Sequence, residues 1–99
     1  MPKLVRDRIP ELILGTGKTV YFHVASEKEF SKMLCEKLQE EVSEFLESKE
    51  TEEIVDILEV IYAICKTKGV SLSELENHRI QKGKDRGVFQ NKYILEEVE

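Results

Sequence analysis

Residues 36–59 read EKLQEEVSEFLESKETEEIVDILE, and the fold turns on this stretch. It carries ten acidic side chains (Glu36, Glu40, Glu41, Glu44, Glu47, Glu50, Glu52, Glu53, Asp56 and Glu59) against two basic ones, Lys37 and Lys49, for a net charge of −8. Residues 1–35 are net +2 and residues 60–99 net +1, so these 24 residues hold the whole acidic excess of a 99-residue chain of net charge −5. A run this acidic with nothing apolar in it would be a solvated, disordered tail. Here Leu38, Val42, Phe45, Leu46, Ile54, Ile57 and Leu58, with Ile61 just beyond, interrupt it at helical spacing, so it reads as folded helix.

Start and stop signals divide the segment. Ser26 followed by Glu29 is a capping-box signature, and Phe30, Met33, Leu34, Leu38, Val42, Phe45 and Leu46 keep a period near 3.6, predicting a helix over 27–47. Ser48 to Thr51 breaks the pattern. Thr51 is suited to cap a second helix over 51–68, with Gly69 as its stop, and the two helices form an antiparallel hairpin. Ser71 with Glu74 opens a third helix over 71–82, ahead of Gly83. Pro10 suits a first helical turn leading into Glu11 to Leu14. The stretches 19–24 and 88–95 are rich in β-branched and aromatic residues and are expected to pair as a small two-stranded β element. The expected architecture is mainly α: an antiparallel helical bundle in one domain spanning 1–99.

A domain this short buries only about 60–65% of the surface its unfolded chain exposes, so a thin core and a homodimer are expected. An acidic chain of pI ≈ 5.2 has the wrong sign for broad phosphate-backbone binding, which makes nucleic acid an unsuitable partner. No apolar run approaches the roughly 18 residues of a membrane span, and Met1 to Pro10 is too charged for a secretory signal, so the cytoplasm is the expected compartment. Cys35 and Cys65 then read as free thiols in the core rather than a disulfide or a metal site.

The acids are not spread evenly around their helix. With Lys37 at zero on a helical wheel, Glu40, Glu44 and Glu41 fall at about −60°, −20° and +40°. Leu34, Leu38, Val42 and Phe45 lie directly beside that face, placing the acids on the rim of the core. Packing against the second helix turns this rim toward Glu53 and Asp56, one turn apart. Carboxylates that converge in a partly buried groove repel and lose hydration, so a cation, a proton or a basic side chain must compensate. All-oxygen ligands suit Mg²⁺ or Mn²⁺, whose usual work is phosphate chemistry. Such an ion neutralises a polyphosphate and lowers the pKa of a bound water, in a site with no Ser, Cys or His nucleophile in view. The plainer reading is a solvated acidic helix face, which suits Glu36, Glu47, Glu50 and Glu52. Glu59 fits either.

Glu40-Glu41-Val42-Ser43-Glu44 followed by Glu53-Ile54-Val55-Asp56 resembles the EExxE…ExxD motif of the MazG-like all-α nucleoside triphosphate pyrophosphohydrolases. That superfamily includes phosphoribosyl-ATP pyrophosphohydrolase and the dimeric dUTPases. The opening Lys3 to Pro10 and the closing Lys82…Arg86-Gly87-Val88-Phe89 resemble its small single-domain house-cleaning members, so the likeness runs along nearly the whole chain. The resemblance implies a helical bundle that dimerises, and Mg²⁺-dependent cleavage of nucleoside triphosphates, modified ones included, to nucleoside monophosphate and pyrophosphate. By position it implies Glu41, Glu44, Glu53 and Asp56 as metal ligands, with Glu40 and Glu41 as the catalytic pair, Glu40 either supporting the ligands or orienting the water. Lys37, Lys82 and Arg86 would bind substrate phosphate. The eight residues between Glu44 and Glu53 form a shorter spacer than is usual in MazG proper.

Other signals carry less. Gly15-Thr16-Gly17-Lys18-Thr19 imitates the end of a phosphate-binding loop, but Leu12 stands where the pattern needs glycine. His23 and His78 have no Cys or His at ligand spacing and read as structural. Arg6, Asp7 and Arg8 read as tying down the N-terminal segment or lining a cleft rim. Tyr21, Phe22, Tyr62, Phe89 and Tyr93 are the aromatic residues suited to stack on a base, and most of them read as core. Two other functions share the pattern: a helical dimer whose acidic face docks a protein partner, and a hydrolase confined to phosphoribosyl-ATP.

Overall fold

Four α-helices make up the regular structure of the computed structural model, which describes residues 2–99: α1 (Ile9–Leu14), α2 (Glu27–Ser48), α3 (Thr51–Thr67) and α4 (Leu72–Arg86). Among the described residues there is no strand, and no helix is long and apolar enough to cross a membrane.

Local chemistry explains the boundaries. Ser26 accepts the Glu29 N–H at 3.2 Å and opens α2, but Glu29 does not complete the reciprocal box, because its carboxylate meets His23 Nε2 at 3.0 Å. Ser71 and Glu74 form the complete box at the start of α4. The end of α3 is a Schellman turn: Val70 N–H reaches the Cys65 carbonyl at 2.9 Å, Gly69 N–H reaches Lys66 at 3.2 Å, and Gly69 sits at φ 72°. Between α2 and α3 only Lys49 and Glu50 intervene. Lys49 is left-handed at φ 60°, and Glu50 rather than Thr51 occupies the N-cap of α3, without a side-chain cap bond.

Three further expectations change. Helix α4 does not stop before Gly83; it runs to Arg86 and ends on Gly87, whose φ of 84° supplies the break. A mid-helix glycine costs about 1 kcal/mol and can be tolerated, and at Gly83 a side chain would come within 3.3 Å of Val88 Cγ1. The two-stranded element over 19–24 and 88–95 does not form. A lone hairpin is marginal without a third strand or a covering helix, and Val24 and Ile94 are 90% and 83% exposed. Of the cysteines, Cys65 is buried but Cys35, at the edge of the α2 stripe, is exposed; both are free.

Helices α2 and α3 pack as an antiparallel hairpin. Near the start of α2, Ser31, Leu34 and Cys35 line a shallow pocket with Ile64, Thr67 and Lys68 at the end of α3, while Glu41 meets Glu53 and Asp56 at its beginning. The core is thin: Leu34, Val60 and Cys65 are its buried apolar residues. Leu46, Ile54, Val55 and Leu58 on the hairpin stay half exposed or more open. The accessible surface is 9210 Å², where a folded monomer of this mass has about 5,800 Å². The radius of gyration is 17.9 Å, against about 13 Å for a compact domain of this length. A single chain therefore leaves much of its apolar surface open.

Candidate metal centre

The two-residue connection fixes the stagger of the hairpin, and that stagger sets the acids. One carboxylate oxygen each from Glu41, Glu53 and Asp56 lies within 4.8 Å of the others, and a second set of the same span joins Glu40, Glu41 and Glu44. Glu41 belongs to both. Glu44 is exposed and stands with Glu40 and Glu41 rather than with the α3 pair.

Glu41 is the buried member, 6% exposed. Its Oε1 lies 3.2 Å from Lys37 Nζ, which also reaches Glu40 Oε2 at 3.3 Å. Its Oε2 is buried with no hydrogen-bond partner. Burial pushes the Glu41 carboxyl above the usual carboxylate range; Lys37 pulls it back and Glu44 pushes it further up. For Lys37, burial works against the charge, but the bonds to Glu41 and Glu40 outweigh it and hold the ammonium above its ordinary value. An orphaned buried carboxylate oxygen calls for a ligand. The donor set is all oxygen and anionic, which is the preference of a hard divalent cation. Oxygens bound to Mg²⁺ lie at most about 4.2 Å apart, so rotamer-scale contraction of the observed set suffices. These residues fit Mg²⁺.

A cleft of about 780 Å³ opens over Glu41, Asp56 and Glu59, between the N-terminal segment, the hairpin and the start of α4. Ligand sites of small molecules run from about 300 to 1,000 Å³. Its lining includes the apolar Leu4, Phe30, Leu34, Tyr62 and Val70 and the cations Arg6, Lys37 and Lys66. Arg6 Nη2 donates to Asp56 Oδ1 at 2.7 Å and its Nη1 lies 4.0 Å from Glu59 Oε1.

The structure thus brings together Lys37, Glu40, Glu41, Glu53 and Asp56, with Glu44 beside them. Lys82 and Arg86, in the last turns of α4, are exposed and line no part of this cleft. Tyr21, Phe22, Phe89 and Tyr93 are not core but exposed, and of the five aromatics Tyr62 alone lines the cleft. Arg6 lines the cleft as its place in the sequence suggests, but its ion pair with Asp56 and the presence of Lys66 in the lining have no local sequence signature. The signal for Arg6 was the acid excess itself, which demands a nearby cation.

A stretch of 44 residues is 50% identical to a protein of Mycolicibacterium smegmatis described as uncharacterized, covering 44% of this chain and 45% of that one. The chain thus spans about half the length of the relative it matches. No family model matches the chain, and no solved structure matches it.

Proposed function

We propose that the chain is a Mg²⁺-dependent nucleoside triphosphate pyrophosphohydrolase of the MazG-like kind, acting in the cytoplasm as a homodimer and releasing nucleoside monophosphate and pyrophosphate. The observation that carries this reading is Glu41 Oε2, a buried acceptor with no partner where the two acidic sets meet. Glu41, Glu44, Glu53 and Asp56 would hold the ion, with Mn²⁺ an acceptable substitute. Bound there, the ion supplies charge neutralisation for the polyphosphate and a lowered pKa for the attacking water.

The chain's own groups do the rest. Glu40 accepts the proton of the water whose oxygen attacks phosphorus, the bond to the bridging oxygen between the α- and β-phosphates breaks, and pyrophosphate leaves with the bridging electrons. Lys37, held by Glu40 and Glu41, presents an ammonium to the phosphates. Tyr62 and the apolar lining offer a dry surface to the base. The exposed Leu46, Ile54, Val55 and Leu58 suit a second hairpin, completing a bundle in which Lys82 and Arg86 serve the partner's phosphates. The test is pyrophosphate release from a panel of ordinary and modified nucleoside triphosphates, and from phosphoribosyl-ATP, with Mg²⁺. Turnover lost on Glu41→Gln is the expected result. Silence across the panel by folded protein would overturn it and favour an acidic docking surface for a protein partner.

A further inference from the structure

Asp56 is claimed twice. In the reading above it is a ligand, yet in the structure the guanidinium of Arg6, fifty positions away in sequence, donates to its Oδ1 at 2.7 Å and leans toward Glu59 at 4.0 Å. A guanidinium and a divalent cation on one carboxylate repel each other. The Arg6 side chain is 52% exposed and that of Asp56 31%, so water screens their bond and it exchanges readily. The segment that delivers Arg6 is neither helix nor strand. Its backbone is fixed at the Arg6 carbonyl, which accepts the Ile9 N–H at 3.0 Å, and by Leu4, half buried in the cleft wall. The side chain can therefore move while its carbonyl stays.

Arg6 also has somewhere to go. It lines the same cleft as Lys37 and Lys66, and Lys37 is already engaged by Glu40 and Glu41. A guanidinium offers two parallel donors that match a phosphate's oxygens, a geometry an ammonium lacks. We infer that Arg6 is an exchangeable counter-ion: it holds Asp56 in competition with the divalent cation, and on loading it transfers to the phosphates of the triphosphate in the cleft. This rests on the assignment of Glu41, Glu53 and Asp56 as ligands.

Calorimetry on the full chain tests it, first with Mg²⁺ alone and then with an α,β-imido nucleoside triphosphate at saturating Mg²⁺. Arg6→Gln is expected to bind Mg²⁺ about two- to fivefold more tightly, because the competitor is gone. The same variant is expected to bind the analogue about tenfold more weakly, because a charged donor is lost. Arg6→Lys retains part of both effects. Arg8→Gln, at a residue paired with Glu11 at 2.7 Å and outside the cleft, behaves as wild type. Unchanged or weaker Mg²⁺ binding by R6Q, with helix content intact by circular dichroism, overturns the inference, as does unchanged analogue binding. A residue that merely orients Asp56 would weaken Mg²⁺ binding when removed. If the wild-type chain binds no Mg²⁺, the ligand assignment falls first and this inference with it, an outcome distinct from failure of R6Q alone.

Discussion

Lys37 and Glu41, one turn apart on α2, form an ion pair of 3.2 Å that engages only one oxygen of the carboxylate. The other oxygen, Oε2, is buried with no partner. Lys37 is shared with Glu40 at 3.3 Å, so a single ammonium serves two acids while Glu44, Glu53 and Asp56 stand close by. Compensation inside the hairpin is therefore partial, and Glu41 bears the shortfall.

That shortfall makes Glu41→Gln a stabilising substitution in the absence of Mg²⁺. Removing a buried charge with an unmade bond is expected to gain about 1 kcal/mol, or a rise of about 4–8 °C in Tm for a domain of this size. The same variant should show no further rise on adding Mg²⁺, whereas wild type should. Thermal unfolding with and without Mg²⁺ reads both.

The pH dependence has a definite sign. Because burial raises the Glu41 pKa in the fold, the native chain keeps a proton that the unfolded chain releases near pH 4.3. Stability from this group is full below that pH and is lost as pH rises through the higher folded value. Urea unfolding of wild type and E41Q without Mg²⁺ should give curves whose difference grows in favour of E41Q as pH rises from about 4 to 7.

Asp56→Asn keeps the size of the side chain and removes a charged oxygen. It is expected to lower pyrophosphate release by at least about 100-fold with helix content unchanged by circular dichroism. Retention of wild-type turnover would remove Asp56 from the ligand set.

Leu34 is 3% exposed and is the most deeply buried apolar residue of the core. Truncating such a leucine costs about 2–5 kcal/mol, a large share of the roughly 5–15 kcal/mol that holds a domain together. Leu34→Ala should shift the urea midpoint accordingly, with a strong loss of cooperativity at 37 °C.

Leu58 is 43% exposed on α3 and Leu46 60% exposed on α2. If they pack against a second hairpin, Leu58→Asp should convert the dimer to a monomer in sedimentation velocity while the helical signal survives. Wild-type protein sedimenting as a monomer would discard the assembly.

What could be read from the chain beforehand follows from range. Ser26, Ser71 and Gly69 act within one helical turn, and each marks a boundary that the structure keeps. The acid spacing likewise placed Glu41 opposite Glu53 and Asp56, because a short connection between two amphipathic helices leaves little choice of stagger, but it did not show that Glu44 stays with Glu40 on the α2 side. Gly83 misled because the stop needed a positive φ, which Gly87 provides four residues on. The β-rich ends misled because propensity makes no strand without a partner to cover it. Arg6 was invisible as chemistry because its bond to Asp56 crosses fifty positions, a distance over which local pattern says nothing.

The two-residue join of α2 and α3 has one more consequence. The proposed ligands begin at Glu41 and end at Asp56, so the whole chelating set lies on one short loop of chain. Contacts this local form early and fast, and an ion that binds only the joined helices lends its binding energy to their joining. Metal and hairpin would then nucleate each other, with α1, α4 and the terminal arms added to a centre that already exists.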